Sequence, residues 1–147
     1  MTDMIYKILV VEDDKVDQKI ISRSIKKLEY KTEAIFVENI KDGLEQMKKN
    51  TFSCVFLDYM LPDGTGLDFV KIVREKDSLT PVIIVTSQRD ENVAIQAMKM
   101  GASDYMTKKL YTSEGLRLAL QNAIQTYEFE KLKREQSKAL ERTAEQL

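Results

Sequence analysis

The chain has 147 residues, enough for one domain with little left for a second. Hydrophobic residues make up 43% and charged residues 32%, the balance of an ordinary globular fold with a buried core. Net charge is −1, from 23 basic and 24 acidic residues, so no global basic field exists to recruit nucleic acid.

Ile8–Val11 is an apolar run ending in Glu12, Asp13 and Asp14. Val16, Ile20, Ile21, Ile25 and Leu28 then recur at helical spacing, with Asp14 as the helix cap and Asp17 on the solvated face. Ala34–Val37 is a weaker strand candidate. Asn39 is placed to cap a helix carrying Ile40, Leu44 and Met47. Phe52–Leu57 is a second strong apolar run and ends at Asp58. A stripe of Leu67, Val70 and Val73 opens after Gly66. Pro81–Val85 is the third strong run and ends at Thr86 and Ser87. Val93, Ala97 and Met100 form another stripe, closed by Gly101, a natural C-cap. Asp104–Thr107 is a weaker strand that ends at Lys108. A fifth helix begins near Thr112 and carries Leu116, Leu120 and Ile124.

Strand and helix alternate five times, which predicts an α/β fold: a doubly wound, five-stranded parallel sheet with helices on both faces. Ligands of such sheets bind beyond the carboxyl ends of the strands. The acidic run, Asp58, Thr86 and Lys108 all fall at those ends. From Tyr127 the chain turns rich in Glu, Lys, Arg, Gln and Ala, without Gly or Pro. The division expected is 1–126 for the compact domain and 127–147 for a helical extension or linker. Leu132, Leu140 and Leu147 hint at a coiled-coil seam, so a solvated helix and a homodimer contact both stay open.

There is no histidine, so imidazole bases, nucleophiles and metal ligands are excluded. The one cysteine, Cys54, lies in an apolar run and reads as a buried thiol, which fits a reducing compartment. Met1–Lys7 has no signal-peptide pattern, and no run is long enough to span a bilayer. A cytoplasmic protein is expected. Chemistry is left to carboxylates, hydroxyls and lysines. Glu12, Asp13 and Asp58 would crowd one pocket and raise one another's pKa unless a cation compensates. Oxygen ligands alone favour Mg²⁺ or Mn²⁺. Asp58, fixed at the end of a rigid strand, suits a nucleophile toward a phosphoryl donor. Lys108 and the Thr86 hydroxyl suit charge neutralisation on the phosphoryl oxygens.

The sequence resembles the CheY-like receiver domain of bacterial response regulators over about residues 5–126. The likeness rests on Ile8–Asp14, on Asp58–Gly66, on Val85, Thr86 and Ser87, on Gly101–Tyr105 and on Lys108. It implies the flavodoxin-like strand order 2-1-3-4-5. It also implies Asp58 as phosphoacceptor, and Asp13, Glu12, Asp58 and the backbone carbonyl of Met60 as the metal set. Thr86 would be the switch hydroxyl, Tyr105 the switch aromatic and Lys108 the phosphoryl-binding cation. The donor would be a histidine kinase or histidine phosphotransfer protein. The protein would then be a switch, with only slow self-catalysed phosphoryl transfer and hydrolysis. A phosphohydrolase is disfavoured, because the residue two beyond Asp58 is Met60 rather than an acid. A pseudo-receiver scaffold or dimerisation module is the alternative. Its support is one departure from the family: Lys109 stands where a proline usually follows the lysine. Without proline a cis bond costs roughly 2.5–4 kcal/mol, so a trans Lys108–Lys109 bond is expected.

Overall fold

A computed structural model describes residues 4–76, 78–87 and 90–146. Five parallel strands form the main sheet: β1 (Tyr6–Val11), β2 (Thr32–Val37), β3 (Cys54–Asp58), β6 (Val82–Thr86) and β7 (Asp104–Thr107). Their order is β2-β1-β3-β6-β7, which is the expected 2-1-3-4-5 once the sheet strands alone are counted. The remaining two, β4 (Met60–Leu61) and β5 (Gly64–Thr65), pair in a short hairpin that no periodicity announced.

Side-chain alternation divides the core into two layers. Ile8, Val10, Cys54, Phe56, Ile83 and Val85 face α1 (Lys15–Lys26) and α5 (Ser113–Gln146), meeting Ile21, Ile25, Leu116, Leu120 and Ile124. Leu9, Val11, Val55, Leu57, Val82 and Ile84 face the other way. They meet α2 (Ile40–Lys49), α3 (Gly66–Glu75) and α4 (Glu91–Met100) through Ile40, Phe69, Val70, Val73 and Ala97. Continuous apolar runs are therefore required in β1, β3 and β6, because both faces of each strand are covered. Cys54 is fully buried, as expected, and burial holds its thiol well above the ordinary value.

Helix ends follow the local chemistry. Asp14 Oδ1 accepts from the amides of Val16 and Asp17 at 2.8 and 3.1 Å, and Asn39 Oδ1 accepts from Asp42 at 2.7 Å. Gly101 closes α4 at φ +106°, a conformation that L side chains rarely adopt. A long-range cap went unread in the sequence. Asp63, in the hairpin, accepts from the amides of Ile40 and Lys41 at 2.8 and 3.0 Å, so the loop after β3 seats the start of α2. Slight burial works against its charge, but these amides hold its carboxyl below the ordinary value.

α5 runs unbroken past residue 126. Its inner stripe ends at Ile124, and beyond it Phe129, Leu132 and Leu140 stand exposed. Leu147 lies outside the described residues. Among the described residues, no helix is long and apolar enough to cross a membrane.

Between β7 and α5, Lys108–Leu110 form a short 3₁₀ turn that folds onto the first turn of α5. A Cβ on Gly115 would stand 2.2 Å from the Leu110 carbonyl oxygen. Gly115→Ala is therefore expected to destabilise the protein by roughly 1–3 kcal/mol, since backbone must move to admit the methyl. Urea unfolding would show this as a lower midpoint with an unchanged slope, and an unshifted midpoint would contradict it.

Candidate functional site

Register brings the polar residues to one edge. Val11 pairs with Leu57, so Glu12 emerges beside Asp58. Asp58 pairs with Val85, which puts Thr86 one step further along the neighbouring strand. Thr86 pairs with Thr107, and Lys108 follows directly. Thus four strand ends deliver Glu12, Asp58, Thr86 and Lys108 to the carboxyl edge of the sheet. Glu12, Asp58 and Thr86 are all buried there, whereas Asp13 is exposed.

Carboxylate oxygens of Glu12, Asp13 and Asp58 all lie within 4.8 Å of one another, so these three residues could hold a metal ion. The donor set is oxygen only, which suits a hard divalent cation. Burial, reinforced by Asp58, pushes the Glu12 carboxyl up to about 8. Lys108 Nζ is the cation already facing the cluster. It stands 2.7 Å from Glu12 Oε1, an ion pair off the hydrogen-bonding direction, and 3.3 Å from Asp58 Oδ2. The amide of Met60 faces Asp58 Oδ1 at 3.4 Å, and the Met60 side chain points outward.

Two sequence expectations meet the structure differently here. Asp17 is not a solvated residue: its side chain is 21% exposed, and its Oδ2 accepts from Lys108 Nζ at 2.5 Å, the shortest of that ammonium's contacts. The reason is geometric. Helix α1 leaves the acidic loop with Asp17 on its inner flank, and the 3₁₀ turn aims Lys108 at it. Sequence spacing held no signal for a partner 91 positions away. Burial disfavours the Lys108 charge, but Asp17, Glu12 and Asp58 together hold its pKa above the ordinary value. The Lys108–Lys109 bond is trans, as expected where no proline stands.

Tyr105 is half-buried against the layer that holds Ile84 and Ala97. Its hydroxyl is buried and meets no hydrogen-bond partner among the described residues. Tyr111, by contrast, is almost wholly buried in the opposite layer. Burial first, then the charges of Glu12, Asp58 and Asp17, raise its hydroxyl far above the ordinary value.

The family model for the response regulator receiver domain matches residues 8–121. The chain belongs to that family. Among curated relatives, the response regulator PilR of Pseudomonas aeruginosa is 31% identical over 102 residues, covering 69% of this chain and 22% of that protein. The transcriptional regulatory protein CiaR of Streptococcus pneumoniae is 33% identical over 116 residues, covering 78% and 50%. The chain thus spans from about a fifth to a half of these relatives. A receiver domain crystal structure from Clostridium thermocellum is 28% identical with a TM-score of 0.76, covering 84% of this chain and 98% of that one. The BeF₃-activated DrrB receiver domain is 30% identical with a TM-score of 0.70, covering 83% and 99%. The receiver fold and its acidic edge therefore stand together in this chain.

Proposed function

We propose that this receiver domain is a phosphorylation-dependent switch that accepts a phosphoryl group on Asp58. The observation that carries the reading is the meeting of three carboxylates within 4.8 Å of one another, with an ammonium 3.3 Å from the Asp58 oxygen. The donor is a histidine kinase or histidine phosphotransfer protein, since this chain has no histidine of its own. An Asp58 oxygen attacks phosphorus and a P–O bond forms. The donor's P–N bond breaks, and its electron pair returns to the imidazole. Glu12, Asp13, Asp58 and the Met60 carbonyl would hold Mg²⁺ or Mn²⁺, which when bound neutralises charge on the phosphoryl oxygens. Lys108 binds those oxygens, and the Thr86 hydroxyl donates to one of them. The residue two beyond Asp58 is Met60, which cannot activate water, so hydrolysis stays slow and the domain works as a switch rather than a turnover enzyme.

Tyr105 is the second moving part. A buried hydroxyl without a partner costs about 1–3 kcal/mol, so its present position is weakly held against an alternative. New charge at Asp58 shifts Thr86, and the aromatic re-seats in response. Residues 1–126 are the signalling unit of a cytoplasmic protein, without a nucleic-acid or membrane surface of its own. The stretch 127–147 serves as a linker, helical over its described residues, and is also the place for any homodimer contact.

Incubation with acetyl phosphate and Mg²⁺ should add one phosphoryl group to the intact mass. Asp58→Asn should abolish that gain, and omission of Mg²⁺ should reduce it strongly. A wild-type protein that stays unmodified would leave the scaffold reading, for which the Lys109 departure from the family pattern speaks. Rapid turnover of a small phosphate ester would instead indicate a phosphohydrolase.

A further inference from the structure

Lys108 lies closer to Asp17 than to the phosphorylatable Asp58: 2.5 Å against 3.3 Å. Asp17 belongs to neither the carboxylate triad nor the strand ends. It comes from the first turn of α1, where its own amide is held by the Asp14 cap at 3.1 Å. That cap fixes the start of the helix, so the Asp17 carboxylate faces the pocket from a rigid element. It is only partly exposed, at 21%, so solvent screens it incompletely.

We propose that Asp17 is a positioning residue that anchors the Lys108 ammonium on the α1 side of the pocket and thereby opposes phosphorylation of Asp58. The inference rests on the reading of Asp58 as phosphoacceptor and deepens it. The effect runs through Lys108: of its three ammonium protons one is committed to the Asp17 carboxylate, which holds the nitrogen 2.5 Å from Asp17 against 3.3 Å from Asp58. That bond must lengthen or break before the ammonium can serve the phosphoryl oxygens fully, which raises the free energy of the phosphorylated state relative to the free one. The anchor places a residue of α1 in direct control of the site, so anything that displaces the start of α1 alters phosphoryl occupancy.

The test compares wild type, Asp17→Asn and Asp17→Glu with Mg²⁺, titrating acetyl phosphate and reading the phosphorylated fraction by intact mass. Asp17→Asn should reach half-occupancy at roughly three- to tenfold lower acetyl phosphate, the size of coupling expected between neighbours that share a partner. Asp17→Glu should stay near wild type. Each variant is repeated with Lys108→Met, where the effect of Asp17→Asn should fall to less than half. A merely structural role would persist there. If the lysine-free proteins label too slowly, the midpoint for beryllofluoride binding with Mg²⁺, read by thermal shift, makes the same comparison at equilibrium. Unchanged or poorer labelling of Asp17→Asn would overturn the proposal, as would an effect that survives intact without Lys108. A wild type that never labels would instead remove the phosphoacceptor reading itself, so the two failures are distinguishable.

Discussion

Lys108→Met is expected to lower the stability of the metal-free protein by about 2–4 kcal/mol at pH 8, because removing one partner strands the buried charges left behind. The Lys108 side chain is only 19% exposed and its partner Glu12 only 1%, so water cannot replace the ammonium where it matters most. Methionine keeps most of the aliphatic stem, which confines the change to charge. The loss should depend on pH in a definite direction. Glu12 holds its proton more tightly folded than unfolded, with a folded value of about 8 against an ordinary 4.5. Its favourable contribution to stability is therefore complete below about 4.5 and disappears as pH rises through 8. Lys108 lowers the Glu12 value, so in the variant Glu12 keeps its proton further above pH 8, and the pairing lost with Lys108 counts fully only where wild-type Glu12 is ionised. Unfolding in urea with a chelator should show a clearly smaller deficit for the variant at pH 5.5 than at pH 9.5. Millimolar Mg²⁺ should recover much of the difference at pH 8 by supplying another cation to the same carboxylates. An identical deficit at both pH values, indifferent to Mg²⁺, would mean that Lys108 matters for packing and not for charge.

Phe69→Ala should cost about 3–5 kcal/mol, the range for emptying a buried aromatic site. Phe69 is fully buried on α3, in the layer formed by Leu9, Val11 and Leu57 under α2. A Cβ on Gly43 would lie 3.0 Å from its ring, so the ring already fills the seam between α2 and α3. That tightness carries its own test. Gly43→Ala alone should destabilise by overpacking, and Phe69→Leu should relieve part of that cost, so the double variant should be more stable than the sum of the two singles. Additive losses would show that the seam relaxes freely. Because Leu57 shares this layer and immediately precedes Asp58, the Phe69→Ala protein should also label less completely with acetyl phosphate at 37 °C than at 10 °C.

Much of the architecture was legible in the sequence, for an identifiable reason. Strands covered on both faces must be apolar throughout, so Ile8–Val11, Phe52–Leu57 and Pro81–Val85 announced themselves, and the helical stripes between them fixed the alternation. Ends of elements shifted by a residue or two: β3 begins at Cys54 rather than Phe52, and β6 at Val82 rather than Pro81. The hairpin of β4 and β5 is too short to carry a period, and its one local mark is the turn sequence Pro62-Asp63-Gly64. Asp14, Asn39 and Gly101 were readable as caps because capping acts within three residues.

What the sequence determined by itself is therefore the chemistry within reach of each strand end: the acidic run after β1, the aspartate closing β3, the hydroxyl closing β6 and the lysine after β7. The tertiary structure alone decided how those ends are shared. Parallel register set Glu12 beside Asp58, a loop aspartate at position 63 seated α2, and the turn after β7 delivered Lys108 to Asp17 as well as to the triad. The physical reason is range. Propensity and periodicity act over a few residues, whereas a carboxylate's pKa and a lysine's choice of partner depend on charges brought together from 46 to 96 positions apart, which only the folded register fixes.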